Sequence, residues 1–206
     1  VPFAPLNYRL TTDALVELIE RLPGAVVVAD ADYAAVAAAA GVPVLDSADF
    51  LDVGAASGAE APAGDVDPDA LAVVLFTSGT TSKPKAVEIT HANLTSYVMG
   101  TVDFASADPA DAALICVPPY HIAGVSAALS NLYAGRKLVY LPGFDADEWV
   151  RLVAEESVTS ATLVPTMLDR VVADLPDPPE VVVVRGPGHT PYESLFAPDA
   201  VVALPA

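Results

Sequence analysis

Eight short apolar runs of strand type, separated by helix-type segments, constrain most strongly how this chain can fold. Most of the runs are continuous in apolar residues, which is typical of parallel strands that are buried on both faces. We therefore predict an α/β fold with doubly wound, mainly parallel sheet(s) and helices on both faces. The predicted strands are residues 25–29, 42–45, 71–76, 86–89, 113–117, 137–141, 159–164 and 180–184.

Helix-type segments fill the intervals between these strands. The first places apolar side chains on one face and is predicted from its N-cap Thr12 to Leu22. An alanine-rich helix is expected to stop at Gly41, and another helix is expected to begin after the cap Thr90. Further helices are predicted at 122–134, 145–156 and 168–175.

Composition divides the chain once. Residues 54–69 are rich in glycine, alanine, proline and acids and have no periodicity, which indicates a linker. We predict an α/β lobe fragment at 1–53, a second lobe at 70–184, and an irregular, unassigned tail at 185–206.

The acidic composition excludes some partners. The chain has 27 Asp and Glu against 9 Lys and Arg, a formal net charge of −18, which argues against nucleic acid and anionic membranes. The single cysteine, Cys116, lies in an apolar run and is expected in the core. No disulfide within the chain and no cysteine-based metal site is expected.

One uncharged stretch, 112–135, is long enough to cross a bilayer. Pro118 and Pro119 would break a spanning helix near its start, so a buried strand followed by a buried helix is the better interpretation. No transmembrane segment is expected. The start at Val1 carries no basic signal-peptide region, and we expect a cytoplasmic protein.

A loop rich in hydroxyl side chains follows the strand predicted at 71–76. Two of the three lysines of the chain, Lys83 and Lys85, lie in it. Free backbone N–H groups, hydroxyls and local positive charge on an acidic background suit a phosphate chain. The alternative is an ordinary polar surface turn. A Walker A loop is excluded, because Pro84 stands five residues after Gly79.

This loop resembles the phosphate-binding loop of the adenylate-forming (AMP-binding) superfamily, which includes acyl- and aryl-CoA ligases. The family's loop reads roughly Thr-Ser-Gly-Thr-Thr-Gly-x-Pro-Lys-Gly-Val, and this chain departs from it at Ser82 and Ala86. The resemblance implies that the phosphates of ATP bind here and that Lys85 is catalytic, offsetting charge on the departing pyrophosphate. The implied cofactor-binding residues are Thr77, Ser78, Gly79, Thr80, Thr81, Ser82, Lys83 and Lys85.

Two weaker matches stand in the family's order along the chain. Asn7, Arg9, Leu10 and Thr11 are similar to an Asn-x-Arg-Leu-Thr segment that precedes the loop. The run that begins at His91 is similar to a His-x-Asn-Leu segment that follows it. We interpret His91 as a structural residue at a helix start rather than as a catalytic base.

The segment Pro118-x-x-His121-x-x-Gly124 resembles one that acyl- and aryl-CoA ligases carry. Its aromatic–His pair lines the acyl and thioester-forming pocket of the family; without the resemblance, His121 would be an ordinary turn histidine. The Val164 turn is similar to a border of that pocket, with plain core packing as the alternative. The implied substrate-binding residues are Tyr120, His121, Gly124, Val164, Pro165 and Thr166.

The resemblance covers about residues 1–184 and implies part of an ATP-dependent ligase. Such an enzyme activates a fatty or aryl acid as acyl-AMP and transfers it to CoA, using ATP and Mg²⁺. The family's Tyr-Gly-x-Thr-Glu motif, whose Glu binds magnesium, its ribose-binding segment and its C-terminal lysine lobe are absent from this sequence. We expect the chain alone to be inactive and to hold no metal. The alternatives are a non-catalytic nucleotide-binding or assembly module, and an adenylation domain that loads a carrier-protein thiol.

Overall fold

The computed structural model describes residues 1–56, 58, 64–77 and 84–174, with the backbone of 181–183 and 201–203. The chain forms two compact units. The first consists of 1–106 and 118–135, and the second of 107–117 and 136–206.

These units are not separated at residues 54–69, where the sequence predicted a boundary. Phe3 lies beside Val73 as a parallel bridge. The Phe3 amide donates to the Ala72 carbonyl at 2.8 Å, and the Val74 amide donates to the Phe3 carbonyl at 2.9 Å. Backbone pairing therefore joins the segments on either side of 54–69 within one unit.

The first unit begins with three helices and one pair of parallel strands. These are α1 (Thr12–Glu20), β1 (Val27–Ala29), α2 (Ala31–Ala39), β2 (Val44–Asp46) and α3 (Ser47–Ala56). The amphipathic α1 buries Leu15, Leu18 and Ile19, as its spacing predicts. Its N-cap is Thr11 rather than Thr12, because the Thr11 hydroxyl accepts from the Ala14 amide at 3.4 Å.

The helix α3 was not predicted, and it occupies residues 54–56 of the expected linker. A carboxylate just before it satisfies its free amides: Asp46 Oδ1 accepts from the Ala48 amide at 2.9 Å and from the Asp49 amide at 3.4 Å. This cap is the physical reason that a helix forms where no apolar periodicity marks one.

The two strands that flank the predicted loop form an antiparallel hairpin. They are β3 (Leu71–Thr77) and β4 (Lys85–Thr90), with Thr77 opposite Lys85 at the loop end of the hairpin, where residues 78–83 connect the strands. The prediction of two strands was right in position. A wholly parallel arrangement is excluded for this pair. Only β3 is buried, over residues 72–75, whereas most of β4 is exposed.

Two helices complete the first unit, α4 (His91–Thr101) and α5 (Ile122–Ala134). Thr90 is the predicted cap of α4, and it exchanges hydrogen bonds with Asn93 as a capping box. Gly135 ends α5 in the left-handed conformation, with φ +82°. Leu94 and Val125 from these helices pack against the buried face of β3.

The second unit contains a three-stranded parallel sheet. Its strands are β5 (Ala112–Ile115), β6 (Lys137–Tyr140) and β7 (Ser160–Thr162), in the order β6-β5-β7, and its helices are α6 (Ala146–Glu155) and α7 (Pro165–Asp174). Every residue of the central β5 is buried. Leu114, Cys116, Trp149 and Val171 form the core, so Cys116 is in the core as predicted.

The predicted irregular tail at 185–206 needs a correction. It contains β9 (Val201–Ala203), which pairs antiparallel with β8 (Val181–Val183). Over the described chain, three of the five strand pairs are parallel. The α/β class is confirmed. In the described ranges, no helix has the length and apolar content needed to cross a membrane.

Candidate functional site

The loop end of the β3–β4 hairpin carries the two described residues of the predicted phosphate loop. The Thr77 hydroxyl donates to the Lys85 carbonyl at 3.5 Å, and both residues are exposed. The other predicted members lie outside the described residues; they are Ser78, Gly79, Thr80, Thr81, Ser82 and Lys83. Their role in binding phosphate stays a prediction.

A cation that sequence reasoning missed lies at this same end of the hairpin. The Arg21 side chain donates from Nη1 to the Pro84 carbonyl at 2.8 Å. Its guanidinium carbon also lies over the Phe76 ring, 5.0 Å from the ring centroid. Arg21 is 63 residues from Pro84 in sequence, and no local pattern marks the contact. Arg21 and Lys85 thus place two cations near this end of the hairpin, in a chain with a net charge of −18.

The Pro118–Gly124 segment forms a tight turn into α5. The His121 amide donates to the Pro118 carbonyl at 3.1 Å, and the Gly124 amide donates to the His121 carbonyl at 3.0 Å. A β-carbon on Gly124 would lie 2.9 Å from the Pro118 carbonyl carbon and closer still to its oxygen. Only glycine therefore fits at position 124 without displacing the backbone of the turn.

The side chains of this turn belong to an aromatic cluster. Tyr120 is buried, and its ring centroid lies 4.8 Å from that of the exposed His121 and 5.8 Å from that of Tyr8. Tyr33 extends the cluster, with its ring 6.1 Å from Tyr8. Burial raises the pKa of the Tyr120 phenol above its ordinary value, although the nearby Arg9 charge opposes the shift.

This cluster joins two segments whose contact no pattern in the sequence predicts. Tyr8 and Arg9 come from the early Asn-x-Arg-Leu-Thr segment, and the Arg9 guanidinium lies 5.7 Å from the Tyr8 ring centroid. Both segments lie in the first unit. Tyr120, His121 and Gly124 thus share one turn, and the Tyr8 ring packs edge-to-face against the Tyr120 ring.

The remaining predicted pocket residues lie in the second unit. Pro165 and Thr166 form the first turn of α7, three residues before the predicted start of that helix. Proline is favoured at a first helical position, because its fixed φ fits the helix and its missing N–H needs no partner there. Val164, Pro165 and Thr166 are all exposed, and the Val164 carbonyl accepts from the Met167 amide at 2.9 Å.

Two further observations limit the chemistry of the site. His91 is the exposed first residue of α4, and its structural interpretation stays a prediction. Among the side chains that the structure describes, no three His, Cys, Asp or Glu are grouped as metal ligands. Binding of Mg²⁺ together with ATP stays a prediction, and we derive no step through the ion.

Comparison with known proteins agrees with the resemblance seen in the sequence. A sequence model of the family described as AMP-binding enzyme matches residues 1–190. The chain belongs to the AMP-binding enzyme family. The predicted family is therefore confirmed, on a match that extends well beyond the loop.

Two ligases from bacteria match parts of the chain. A 2-succinylbenzoate–CoA ligase from Bacillus licheniformis is 36% identical over 105 residues, which are 51% of this chain and 22% of that protein. A fatty acid–acyl-carrier-protein ligase from Streptomyces coeruleorubidus is 35% identical over 108 residues, 50% of this chain and 21% of that protein.

A solved structure extends the likeness to the fold of the AMP-binding enzyme family. ATP-bound MatB from Rhodopseudomonas palustris aligns with a TM-score of 0.71 and 31% identity. The alignment covers 87% of this chain and 37% of the MatB chain. The matched stretch thus spans about a fifth of the two sequence relatives and just over a third of MatB.

Proposed function

We propose that this member of the AMP-binding enzyme family is part of an ATP-dependent acid–thiol ligase. The reaction begins when a carboxylate oxygen attacks the α-phosphorus of ATP. The bond to pyrophosphate breaks, and acyl-AMP forms. A thiol sulfur then attacks the acyl carbon, and AMP leaves. Family membership and the names of the two sequence relatives, both ligases of carboxylic acids, support this proposal.

The observation that carries the proposal is the position of Lys85. It lies at the loop end of the β3–β4 hairpin, opposite Thr77 and directly after Pro84, which Arg21 contacts. A phosphate chain bound there would meet positive charge on a protein that is otherwise strongly acidic. Lys85 would stabilise the charge that develops on the departing pyrophosphate. The role of 78–83 in cradling the phosphates is part of the same proposal.

The Tyr120–His121 turn is proposed to hold the acid near the hairpin's ligand. The buried Tyr120 ring packs against the His121 ring in a tilted arrangement, and His121 itself is exposed and able to reach a substrate. Gly124 allows the tight turn that places both side chains at the start of α5. Val164, Pro165 and Thr166, exposed residues of the second unit, are proposed as a border of the acid's pocket on the family resemblance alone.

The acceptor thiol has two candidates, because one relative is a CoA ligase and the other acts on an acyl-carrier protein. The substrate is proposed to be a fatty or aryl acid. The family's motifs for adenine, ribose and magnesium are absent from residues 1–206, so we expect no turnover from these residues alone. The cytoplasmic location stays a prediction.

Acid-dependent exchange of labelled pyrophosphate into ATP tests the proposal. The full-length protein would be incubated with ATP, magnesium and single acids from a panel of fatty and aryl acids. We expect exchange that requires one acid class and falls after Lys85→Ala. Binding of ATP without exchange for any acid would favour the non-catalytic module instead. With the active acid, release of AMP on adding CoA or a carrier protein identifies the acceptor.

A further inference from the structure

Arg21 makes two contacts that together span the loop end of the β3–β4 hairpin. Its Nη1 donates to the Pro84 carbonyl at 2.8 Å, and its guanidinium stacks over Phe76 at 5.0 Å. Phe76 lies on β3 opposite Ala86 of β4, and Pro84 directly precedes β4. One side chain therefore holds both strands at the end where residues 78–83 join them.

The acceptor of this bond lies just before β4. Pro84 has no backbone N–H to donate, but its carbonyl can accept a hydrogen bond. The planar guanidinium of Arg21 donates to that carbonyl while its face rests on the Phe76 ring. Arg21 is the C-cap residue of α1, and the buried Leu15, Leu18 and Ile19 hold that helix in place.

We propose that Arg21 is a positioning residue for the nucleotide phosphates: it fixes the separation of Phe76 and Pro84, and with it the placement of Lys85. The inference rests on the proposed function and adds to it a residue outside the loop. Ordering the two ends of the hairpin before the ligand arrives lowers the entropic cost of binding. Arg21 thus acts through the hairpin and need not touch the ligand.

A purely structural contribution is the competing explanation. Arg21 is exposed and caps the C-terminus of α1, where a positive charge stabilises the helix dipole. In that case any cation would serve equally well. Making the contacts to Phe76 and Pro84 at the same time, by contrast, requires a planar group that donates from its edge while its face rests on the ring; the ammonium of lysine is a compact charge with no planar face. The two explanations therefore differ in what they predict for Arg21→Lys.

Arg170 offers a matched control in the second unit. It is also exposed, and its guanidinium lies over the Phe144 ring at 5.2 Å, the same kind of cation–π contact made within the other unit. The full-length protein would be compared with its variants Arg21→Ala, Arg21→Lys and Arg170→Ala. Calorimetric titration with Mg-ATP and with pyrophosphate measures binding, and urea denaturation measures stability.

We expect Arg21→Ala to weaken the binding of both ligands about three- to thirtyfold, from loss of one charged hydrogen bond and one cation–π contact. Arg21→Lys should lose most of the same affinity, and Arg170→Ala should lose none. In the free protein, amide hydrogen exchange at residues 75–77 and 85–87 should accelerate after Arg21→Ala and stay unchanged after Arg170→Ala.

Full affinity in Arg21→Lys would overturn the inference, because a charge at the end of α1 would then suffice. Equal affinities for Arg21→Ala and Arg170→Ala would overturn it as well. Lys85→Ala separates these results from failure of the proposed function. If Lys85→Ala weakens binding and Arg21→Ala does not, the proposed function stands and the role of Arg21 is wrong.

Discussion

Gly124 lies directly against the backbone of Pro118, so that a β-carbon at position 124 would come 2.9 Å from the Pro118 carbonyl carbon. This contact lets α5 begin immediately after the turn, with the buried Tyr120 and the exposed His121 between the two residues. The obstacle is backbone, which cannot rotate away as a side chain can. The spacing of the Pro-x-x-His-x-x-Gly segment thus has a steric cause.

Replacing this glycine should distort the turn. We expect Gly124→Ala to lower the free energy of unfolding by about 1–3 kcal/mol, the usual cost of forcing extra atoms into packed surroundings. Gly100→Ala is the control, because Gly100 is an exposed residue of α4 with no atom near its missing β-carbon. That change should be neutral or stabilising by up to about 1 kcal/mol. Urea denaturation measures both, and a stable Gly124→Ala protein would contradict the steric account.

Tyr120 should support the turn through its buried ring. Tyr120→Ala removes an aromatic side chain that is only 6% exposed, and we expect a loss of about 3–5 kcal/mol of stability. Tyr97→Ala, at a tyrosine of α4 that is 49% exposed, should change stability by less than about 1 kcal/mol. The same denaturation experiment compares them. Similar losses for the two variants would show that Tyr120 does not anchor the cluster.

The lone cysteine should resist ionisation in the folded protein. Burial raises the pKa of Cys116 to about 11, and its thiol donates to the Thr162 carbonyl at 3.3 Å. Because the folded pKa lies above the ordinary value of 9.0, stability from this group is complete below about pH 9 and is lost as the pH rises through 11. The expected loss is up to about 1.4 kcal/mol for each pH unit between the two pKa values.

Two measurements check this behaviour. The free energy of unfolding, followed from pH 8 to 11, should fall more steeply for the native sequence than for Cys116→Ala. At pH 8, a disulfide reagent should label Cys116 only after denaturant is added. Rapid labelling of the folded protein would mean that the thiol is accessible and that its assigned burial is wrong.

The order and approximate positions of the secondary structure could be predicted from local pattern. Continuous apolar runs marked β3 and β5, hydroxyl capping marked Thr90, and Gly135 ended α5 where a left-handed residue was required. These are signals that neighbouring residues carry. The family loop was equally local, so the AMP-binding enzyme family was recognisable from a few adjacent side chains and two flanking strands.

Apart from α3, whose cap at Asp46 is local, what the sequence did not predict depends on residues that are distant along the chain. Strand direction is one example, because an apolar run does not record whether its partner runs parallel or antiparallel, and β3 and β4 turned out antiparallel. The pairing of β9 with β8 is another. The contact from Arg21 to Pro84 is a third, since a cation after an amphipathic helix has no visible target.

The central claim is that the β3–β4 hairpin presents Lys85 to a polyphosphate. Its most direct test is calorimetric titration with Mg-ATP and with pyrophosphate. The titrated proteins are the full-length protein and its variants Lys85→Ala and Lys83→Ala. Loss of a charge-assisted phosphate contact costs roughly 1.5–3 kcal/mol, so Lys85→Ala should weaken binding about tenfold to hundredfold. Lys83→Ala should cost much less, because the family accepts many residues at that position. Equal losses for the two lysines, or undiminished binding after Lys85→Ala, would contradict the claim.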